Sequence, residues 1–276
     1  MSPGKPVSVF AADDHTGIVT DPTSTPGPRP DNESHRPGVP HTVAECYRAA
    51  LQARHPGYLY TRTVSGKLGT AVAALGIRLG IHPTYLTLIN LVLGISGSAA
   101  VMAGYSPDRT APLVVAGVVL WQLGYIFDCA DGKLARATGK TSAYGTSVDV
   151  FADLTVQLSV VVALSNVILS GDKVPDLLAV LFASLWYIGF VTNLLARGDN
   201  QVSHSLIAKR TALVSAAKLL RDYGFIILVL GTWLLVSSST LIIPMMAVTA
   251  TNLVLLVAYT AKSAGLSIRA SRDRLR

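Results

Sequence analysis

The feature that most constrains this chain is its set of long apolar runs. Thirty-eight consecutive residues, 224–261, contain no Asp, Glu, Lys or Arg, and shorter uncharged runs occupy 83–107, 111–127 and 177–196. A helix needs about 20 apolar residues to cross a bilayer. Inside lipid the backbone must satisfy its own hydrogen bonds, which favours helices. The sequence therefore predicts an all-α, membrane-embedded protein.

Six spans are predicted, arranged as a transmembrane helix bundle. Charged residues make up only 14% of the chain, against roughly 25% in soluble domains. The stretch 142–171 contains two charged residues, both aspartates, and the 38-residue run is long enough for two short spans with a turn near Ser237–Thr240. The predicted spans are 84–104, 111–131, 143–169, 176–196, 219–237 and 240–262.

The distribution of basic residues predicts the orientation. If both termini lie on one side, the opposite side has short loops near 105–110, 170–175 and 238–240. Those loops hold only Arg109 and Lys173, and the other 21 of 23 Lys and Arg lie on the terminal side. The positive-inside rule places that side in the cytoplasm of a cell-membrane protein. The net charge of +7 indicates topology and contact with anionic lipid rather than nucleic acid, for which the chain has no motif.

The regions outside the spans divide the chain further. Residues 1–40 hold 8 of the 14 prolines and are expected to form a disordered tail without a secretory signal. Residues 41–80 mix basic side chains with Tyr and Leu, which favours an interfacial amphipathic helix on the inner leaflet. A helix packed on the face of the protein is the alternative. Residues 81–262 form the predicted transmembrane domain, and 263–276 a basic tail that contacts lipid.

Four carboxylates lie at the edges of apolar segments. Asp128 and Asp131 are three residues apart, and Asp149 and Asp153 are four apart. On helices, each pair would share one face. Charge at a bilayer is costly and indicates a functional site. Two facing helices would bring four carboxylates together, and such clusters suit hard divalent ions such as Mg²⁺ or Mn²⁺.

These acids belong to the pattern D-x2-D-G-x2-A-R-x8-G-x3-D-x3-D, which resembles the signature of the CDP-alcohol phosphotransferase family. All eight fixed positions are present, namely Asp128, Asp131, Gly132, Ala135, Arg136, Gly145, Asp149 and Asp153. The resemblance implies that a substituted phosphate is transferred from a CDP-alcohol to an acceptor hydroxyl, with release of CMP, in phospholipid biosynthesis. It also implies a homodimer.

The resemblance assigns roles to individual residues. It implies that the four aspartates hold two metal ions and that Asp153 also acts as the general base. Thr87 and Asn90, from the first span, are expected beside the nucleotide, with helix packing as the alternative. The remaining residues expected to contact the CDP-alcohol are Gly132, Ala135, Arg136 and Gly145.

The expected donor is CDP-diacylglycerol, because a lipid donor requires the membrane. A CDP-linked polar alcohol with a lipid acceptor is the alternative. The expected acceptor is a polar alcohol, and if it is phosphorylated, Arg210 and Arg221 are candidates to bind its phosphate. Plain topology charges are the alternative for both arginines, and Lys133 and Lys140 are interpreted as topology charges.

Two other classes of membrane protein also use intramembrane carboxylates. Membrane prenyltransferases place two aspartate motifs on well-separated spans, whereas all four acids here lie within 26 residues. A cation transporter would explain the acids but not the fixed Gly and Arg positions. Both remain remote alternatives.

Overall fold

Helices account for the regular structure of this chain. The computed structural model describes residues 42–53, 59–105, 111–170, 175–198, 219 and 222–273, and this part of the chain contains no strand. A π-helical turn, Thr61–Ser65, precedes α2, and a 3₁₀ turn, Ser238–Thr240, precedes α8. The eight α-helices of the described residues are α1 (Val43–Gln52), α2 (Gly66–Arg78), α3 (Pro83–Gly104), α4 (Ala111–Thr138), α5 (Ala143–Leu169), α6 (Asp176–Gly198), α7 (Tyr223–Val236) and α8 (Ile242–Asp273).

Four helical segments are long and apolar enough to cross a membrane. They are Pro83–Gly104, Ala111–Thr138, Ala143–Leu169 and Ser238–Arg269. Two further apolar helices, Asp176–Thr192 and Tyr223–Val236, are shorter. The all-α prediction is confirmed, and helices α3 to α8 begin close to the starts of the predicted spans. The count of six spans stays a prediction.

Local sequence sets where the membrane-length helices begin. The side chain of His82 accepts a hydrogen bond from the Thr84 backbone N–H at 3.4 Å, and Pro83 occupies the first turn of α3. Proline suits this position because its fixed φ is already helical and its missing N–H would have had no helical partner. At the start of α5, the Ser142 Oγ accepts from the Gly145 N–H at 2.9 Å. This side-chain cap satisfies a backbone donor that the helix itself cannot.

Glycine allows α3 to pack closely against its neighbours. A Cβ on Gly117 of α4 would lie 2.6 Å from the carbonyl oxygen of Gly97 on α3. A Cβ on Gly94 would lie 2.5 Å from Val156 of α5. Between apolar helices in lipid, close packing and interhelical hydrogen bonds drive association. The glycines therefore fix the distances between α3, α4 and α5.

A core of large side chains joins these helices to α6, α7 and α8. Trp121 at its centre is 2% exposed and donates through Nε1 to the Ser98 Oγ at 3.0 Å, while Ser98 also pairs with Ser159 at 2.9 Å. The largest fully buried side chains of this core are those of Val101, Val160, Leu164, Val167, Phe182, Ile227, Leu230, Leu241 and Met245.

A second, smaller core lies between α4 and the helices that precede α3. We call α1, the Thr61–Ser65 turn and α2 the juxtamembrane unit. A Cβ on Gly69 of this unit would lie 2.9 Å from the Cβ of Cys129, and one on Gly76 would lie 2.9 Å from Leu134. The unit thus packs on the C-terminal half of α4, the half that bears the aspartates. Contact of this unit with a membrane surface stays a prediction.

Candidate metal centre

A tight turn between α4 and α5 folds the two acidic segments onto each other. Gly139 has a φ of +67°, and the Lys140 N–H donates to the Ala135 carbonyl at 2.9 Å. These are the features of a Schellman motif, in which a left-handed glycine ends a helix. Only residues 139–142 separate α4 from α5. The chain therefore reverses at once, and the end of α4 faces the start of α5.

This reversal brings three of the four aspartates to one point. One carboxylate oxygen from each of Asp128, Asp131 and Asp149 lies within 4.8 Å of the others. Two unit charges at such a distance repel by about 3 to 4 kcal/mol at an effective dielectric constant of 20. A divalent cation removes that repulsion, and hard oxygen ligands are what Mg²⁺ and Mn²⁺ prefer. The arrangement fits a metal ion of this kind.

Asp131 is the most enclosed of the three. It is 4% exposed, and its Oδ2 accepts a hydrogen bond from the Thr87 hydroxyl at 2.7 Å. Such a bond holds the Asp131 carboxylate in place within the group. Thr87 itself is buried in α3. Its observed contact is with a carboxylate of the centre, and contact with a nucleotide stays a prediction.

Asn90 lies one turn after Thr87 on the same face of α3. It is 3% exposed, and a Cβ on Gly124 of α4 would lie 3.1 Å from its Oδ1. Gly124 therefore leaves the space that the Asn90 amide occupies between the two helices. The predicted role of Asn90 beside the nucleotide stays a prediction.

Asp153 lies one turn beyond Asp149 on α5 and does not belong to the three-oxygen group. It is half-buried, and the next residue on that face, Gln157, accepts a hydrogen bond from the Trp186 Nε1 at 3.0 Å. Through Gln157, this part of α5 contacts Trp186 of α6, whereas the three-oxygen group is formed together with α4.

Gly132 and Arg136 of the signature are adjacent in space. A Cβ on Gly132 would lie 3.1 Å from a terminal nitrogen of the Arg136 guanidinium, so glycine leaves room for that group. The Arg136 Nε donates to the Ala53 carbonyl at 3.0 Å, and the charges of Asp131 and Asp149 both act on the guanidinium. An exposed cation thus lies beside the acidic group, where it can meet a phosphate.

The remaining predicted site residues are Gly145, Ala135, Arg210 and Arg221. Gly145 lies in the first turn of α5, where its N–H is used by the Ser142 cap. Ala135 is half-buried on α4, one turn beyond Asp131. Contact of either residue with a CDP-alcohol stays a prediction. Arg210 and Arg221 lie outside the residues that the structure describes.

Lys133 has a role that its sequence position did not predict. It is 8% exposed, and its Nζ donates to the Gly66 carbonyl at the start of α2. A topology charge would lie in solvent or among lipid headgroups. Lys133 instead fastens the juxtamembrane unit to α4, two residues after Asp131.

A buried carboxylate fastens the same unit to α7. Asp222 is 0% exposed and accepts from both the backbone N–H and the hydroxyl of Thr61 at 2.7 Å. The Thr61 hydroxyl also pairs with the Tyr125 hydroxyl of α4 at 2.7 Å. Burial raises the pKa of the Tyr60 hydroxyl, which donates to Gln122 at 2.8 Å. In the sequence, the only indication of a role for Asp222 was its position directly before an apolar run.

Comparison with known proteins agrees with this geometry. The family model described as CDP-alcohol phosphatidyltransferase matches residues 80–253, which is more than half of the chain and includes the whole acidic centre. No curated protein matches the chain.

Proposed function

The chain belongs to the CDP-alcohol phosphatidyltransferase family, and on that premise we propose that it transfers a phosphatidyl group from CDP-diacylglycerol to a polar alcohol. The observation that carries the proposal is the group of three carboxylate oxygens within 4.8 Å, inside the matched region and at the ends of apolar helices. Members of this family are transferases that generally use divalent metals.

The proposed reaction exchanges one phosphate ester bond for another. The acceptor oxygen forms a bond to the phosphorus of the phosphatidyl group, and the bond from that phosphorus to the oxygen of CMP breaks. CMP leaves with the electron pair. Asp153 takes the proton of the acceptor hydroxyl, as a general base within hydrogen-bond reach would.

The other residues of the centre position and neutralise charge. Asp128, Asp131 and Asp149 would hold divalent metal, with Asp153 completing the set if two ions bind. Such ions would supply charge neutralisation on both phosphates of the donor. Thr87 orients Asp131 through its hydrogen bond. Arg136 is placed to add a charge-assisted contact to a phosphate oxygen, which is stronger than a neutral hydrogen bond.

The acceptor is proposed to be a polar alcohol, and a phosphorylated one would be bound by Arg210 and Arg221. A CDP-linked polar alcohol with a lipid acceptor is the second candidate for the substrate pair. Gly132, Ala135, Gly145, Thr87 and Asn90 are proposed to line the CDP-alcohol site.

We propose six spans with both termini and the active site on the cytoplasmic side of the cell membrane. The proposed parts are a tail at 1–40, the juxtamembrane segment 41–80, the transmembrane domain 81–262 and a basic tail at 263–276. A homodimer is proposed from the family.

Release of CMP tests the proposed function. Purified protein is incubated with CDP-diacylglycerol and, in turn, glycerol 3-phosphate, inositol 1-phosphate, serine or inositol. CMP is measured with EDTA and after addition of Mg²⁺ or Mn²⁺. We expect metal-dependent CMP release with one of these acceptors. Absence of metal-dependent release from CDP-diacylglycerol, with release from a CDP-linked polar alcohol and diacylglycerol, would support the second candidate instead.

A further inference from the structure

Two buried phenol hydroxyls have no hydrogen-bond partner among the described residues. They belong to Tyr187 of α6 and Tyr223 of α7. A buried polar group without a partner costs free energy, so each such group in a folded protein requires an explanation. Other tyrosines nearby are satisfied, since Tyr60 donates to Gln122 and Tyr125 pairs with Thr61. Burial of a tyrosine in this region therefore does not by itself leave its hydroxyl without a partner.

The ring of Tyr223 lies against α4, the helix that carries Asp128 and Asp131. It makes an edge-to-face contact with Tyr125 of α4, with ring centroids 5.4 Å apart and an interplanar angle of 74°. Tyr125 lies one helical turn before Asp128. The first helix that bounds the space around Tyr223 is therefore the one that leads into the metal centre.

Trp186 links Tyr223 to α5, the second helix that carries acids. The Tyr223 ring also contacts the Trp186 ring, at a centroid distance of 6.2 Å, and Trp186 donates to Gln157 of α5. Gln157 follows Asp153 by one turn. Tyr187 is the residue after Trp186 on α6. The two tyrosines thus lie on α6 and α7, and Trp186 links both helices to the part of α5 that carries Asp153.

We propose that Tyr187 and Tyr223 bind the acceptor alcohol, each donating a hydrogen bond to one of its oxygen atoms while Asp153 accepts the proton of the reacting hydroxyl. This inference rests on the proposed function. A neutral phenol is a hydrogen-bond donor that complements the oxygens of a polyol or phosphate. Asp128, Asp131 and Asp149 are the proposed metal ligands, which leaves Asp153, one turn before the Gln157 that Trp186 contacts, to accept that proton. An acceptor bound beside α6 and α7 would supply the missing hydrogen-bond partners.

Removal of each hydroxyl tests the proposal. Tyr187→Phe and Tyr223→Phe are compared with the wild type, using CDP-diacylglycerol and whichever of glycerol 3-phosphate, inositol 1-phosphate, serine or inositol the wild type turns over. We expect the acceptor KM to rise roughly three- to tenfold in each variant, the loss of one hydrogen bond. The donor KM and the metal dependence should be unchanged.

Thermal stability provides a readout that does not depend on turnover. Loss of a hydroxyl that has no partner should leave the melting temperature in detergent equal to or above that of the wild type. Tyr60→Phe breaks the hydrogen bond to Gln122 and should lower it. Tyr85→Phe, at a side chain that is 63% exposed, should change neither KM nor melting temperature.

The remaining outcomes would contradict either the acceptor subsite or the proposed function. If the wild type releases CMP in a metal-dependent reaction but both variants keep the wild-type acceptor KM, the acceptor subsite is wrong and the proposed function stands. A lower kcat at unchanged acceptor KM also overturns it, because the hydroxyls would then act in the chemical step. Lower melting temperatures for both variants would show that the hydroxyls have structural partners. If the wild type releases no metal-dependent CMP, the proposed function fails and the subsite with it.

Discussion

At the level of single residues, the four aspartates of the signature occupy different positions in the centre. Asp128, Asp131 and Asp149 converge on one point, whereas Asp153 lies one turn farther along α5 and outside that group. One turn displaces a side chain by about 5.4 Å along the helix axis. The two positions favour different roles, metal binding for the first three and proton transfer for the fourth.

Asp128→Asn, Asp131→Asn and Asp149→Asn should each lower turnover roughly a hundredfold or more, since loss of residues that only support ligands already costs 10- to 100-fold. The metal concentration needed for half-maximal activity should rise as well. Asp176→Asn is the matched control, because that aspartate is exposed at the start of α6. Wild-type turnover at matched metal in any one of the three would contradict the centre.

Asp153→Asn should lower kcat by about 10² to 10⁴, the range typical of a general base, and leave donor binding largely intact. The measurement is a comparison of kcat with the dissociation constant of CDP-diacylglycerol. If donor binding is lost as completely as turnover, Asp153 is chiefly a ligand of the donor-bound metal.

Arg210→Ala and Arg221→Ala address the nature of the acceptor. With a phosphorylated acceptor, loss of either arginine should raise the acceptor KM about tenfold, or ~1.4 kcal/mol, with little change for the donor. With an uncharged acceptor, neither variant should change it. Unchanged constants for both variants with a phosphorylated substrate would exclude the two arginines from its site.

At the level of helices, the juxtamembrane unit is bound to the half of α4 that carries Asp128 and Asp131 and to α7. Lys133 binds the Gly66 carbonyl, Arg136 binds the Ala53 carbonyl, and Asp222 binds Thr61 twice. Each contact pairs a charged group with backbone or hydroxyl, and such bonds are stronger than neutral ones. The juxtamembrane unit therefore helps to hold in place the part of α4 that carries Asp128 and Asp131.

Asp222→Ala should destabilise the protein by about 3 kcal/mol, because the Thr61 N–H and hydroxyl would lose a charged, buried partner. Thr61→Val, which removes only the hydroxyl, should cost about 1 kcal/mol. Unfolding in detergent micelles measures both, with Asp176→Ala as the exposed control. Equal stability of Asp222→Ala and the control would show that the bonds to Thr61 contribute nothing.

The helices could be predicted from the sequence because each apolar run is bounded by charged or turn-forming residues. The spacing of the acids predicted that all four aspartates converge, and Asp128, Asp131 and Asp149 do so. The partners of Asp222 could not be predicted, since Thr61 lies 161 positions away and no periodic pattern links them. The hydroxyl of Tyr223 was equally hidden, because a tyrosine at the start of an apolar helix is ordinary until its surroundings are known.

At the level of the whole molecule, the described helices form one membrane-associated bundle with its chemistry at one end. The acids lie at the end of α4 and the start of α5, and the main core occupies the apolar lengths of α3 to α8. Apolar packing along the length of the bundle is thus separate from the charged groups, which are costly in lipid and lie together at one end.

Deletion of residues 1–40 should leave turnover within a few fold of the full chain. The segment is rich in proline and poor in the apolar residues needed to form a core. CMP release by the truncated and full-length proteins, compared at equal amounts of membrane-inserted protein, measures the effect. A larger loss in a well-inserted protein would show that the segment takes part in catalysis or substrate entry.

The four-residue connection between α4 and α5 bears on how this protein can vary during evolution. The eight positions between Arg136 and Gly145 comprise the last residues of α4, the turn closed by Gly139 and the cap of α5. An insertion or deletion there would rotate and shift α5 relative to α4 and separate Asp149 from its partners. Substitutions at positions of this segment other than Gly139 and Ser142 can therefore accumulate in descendants of the gene, whereas changes in its length should be removed by selection.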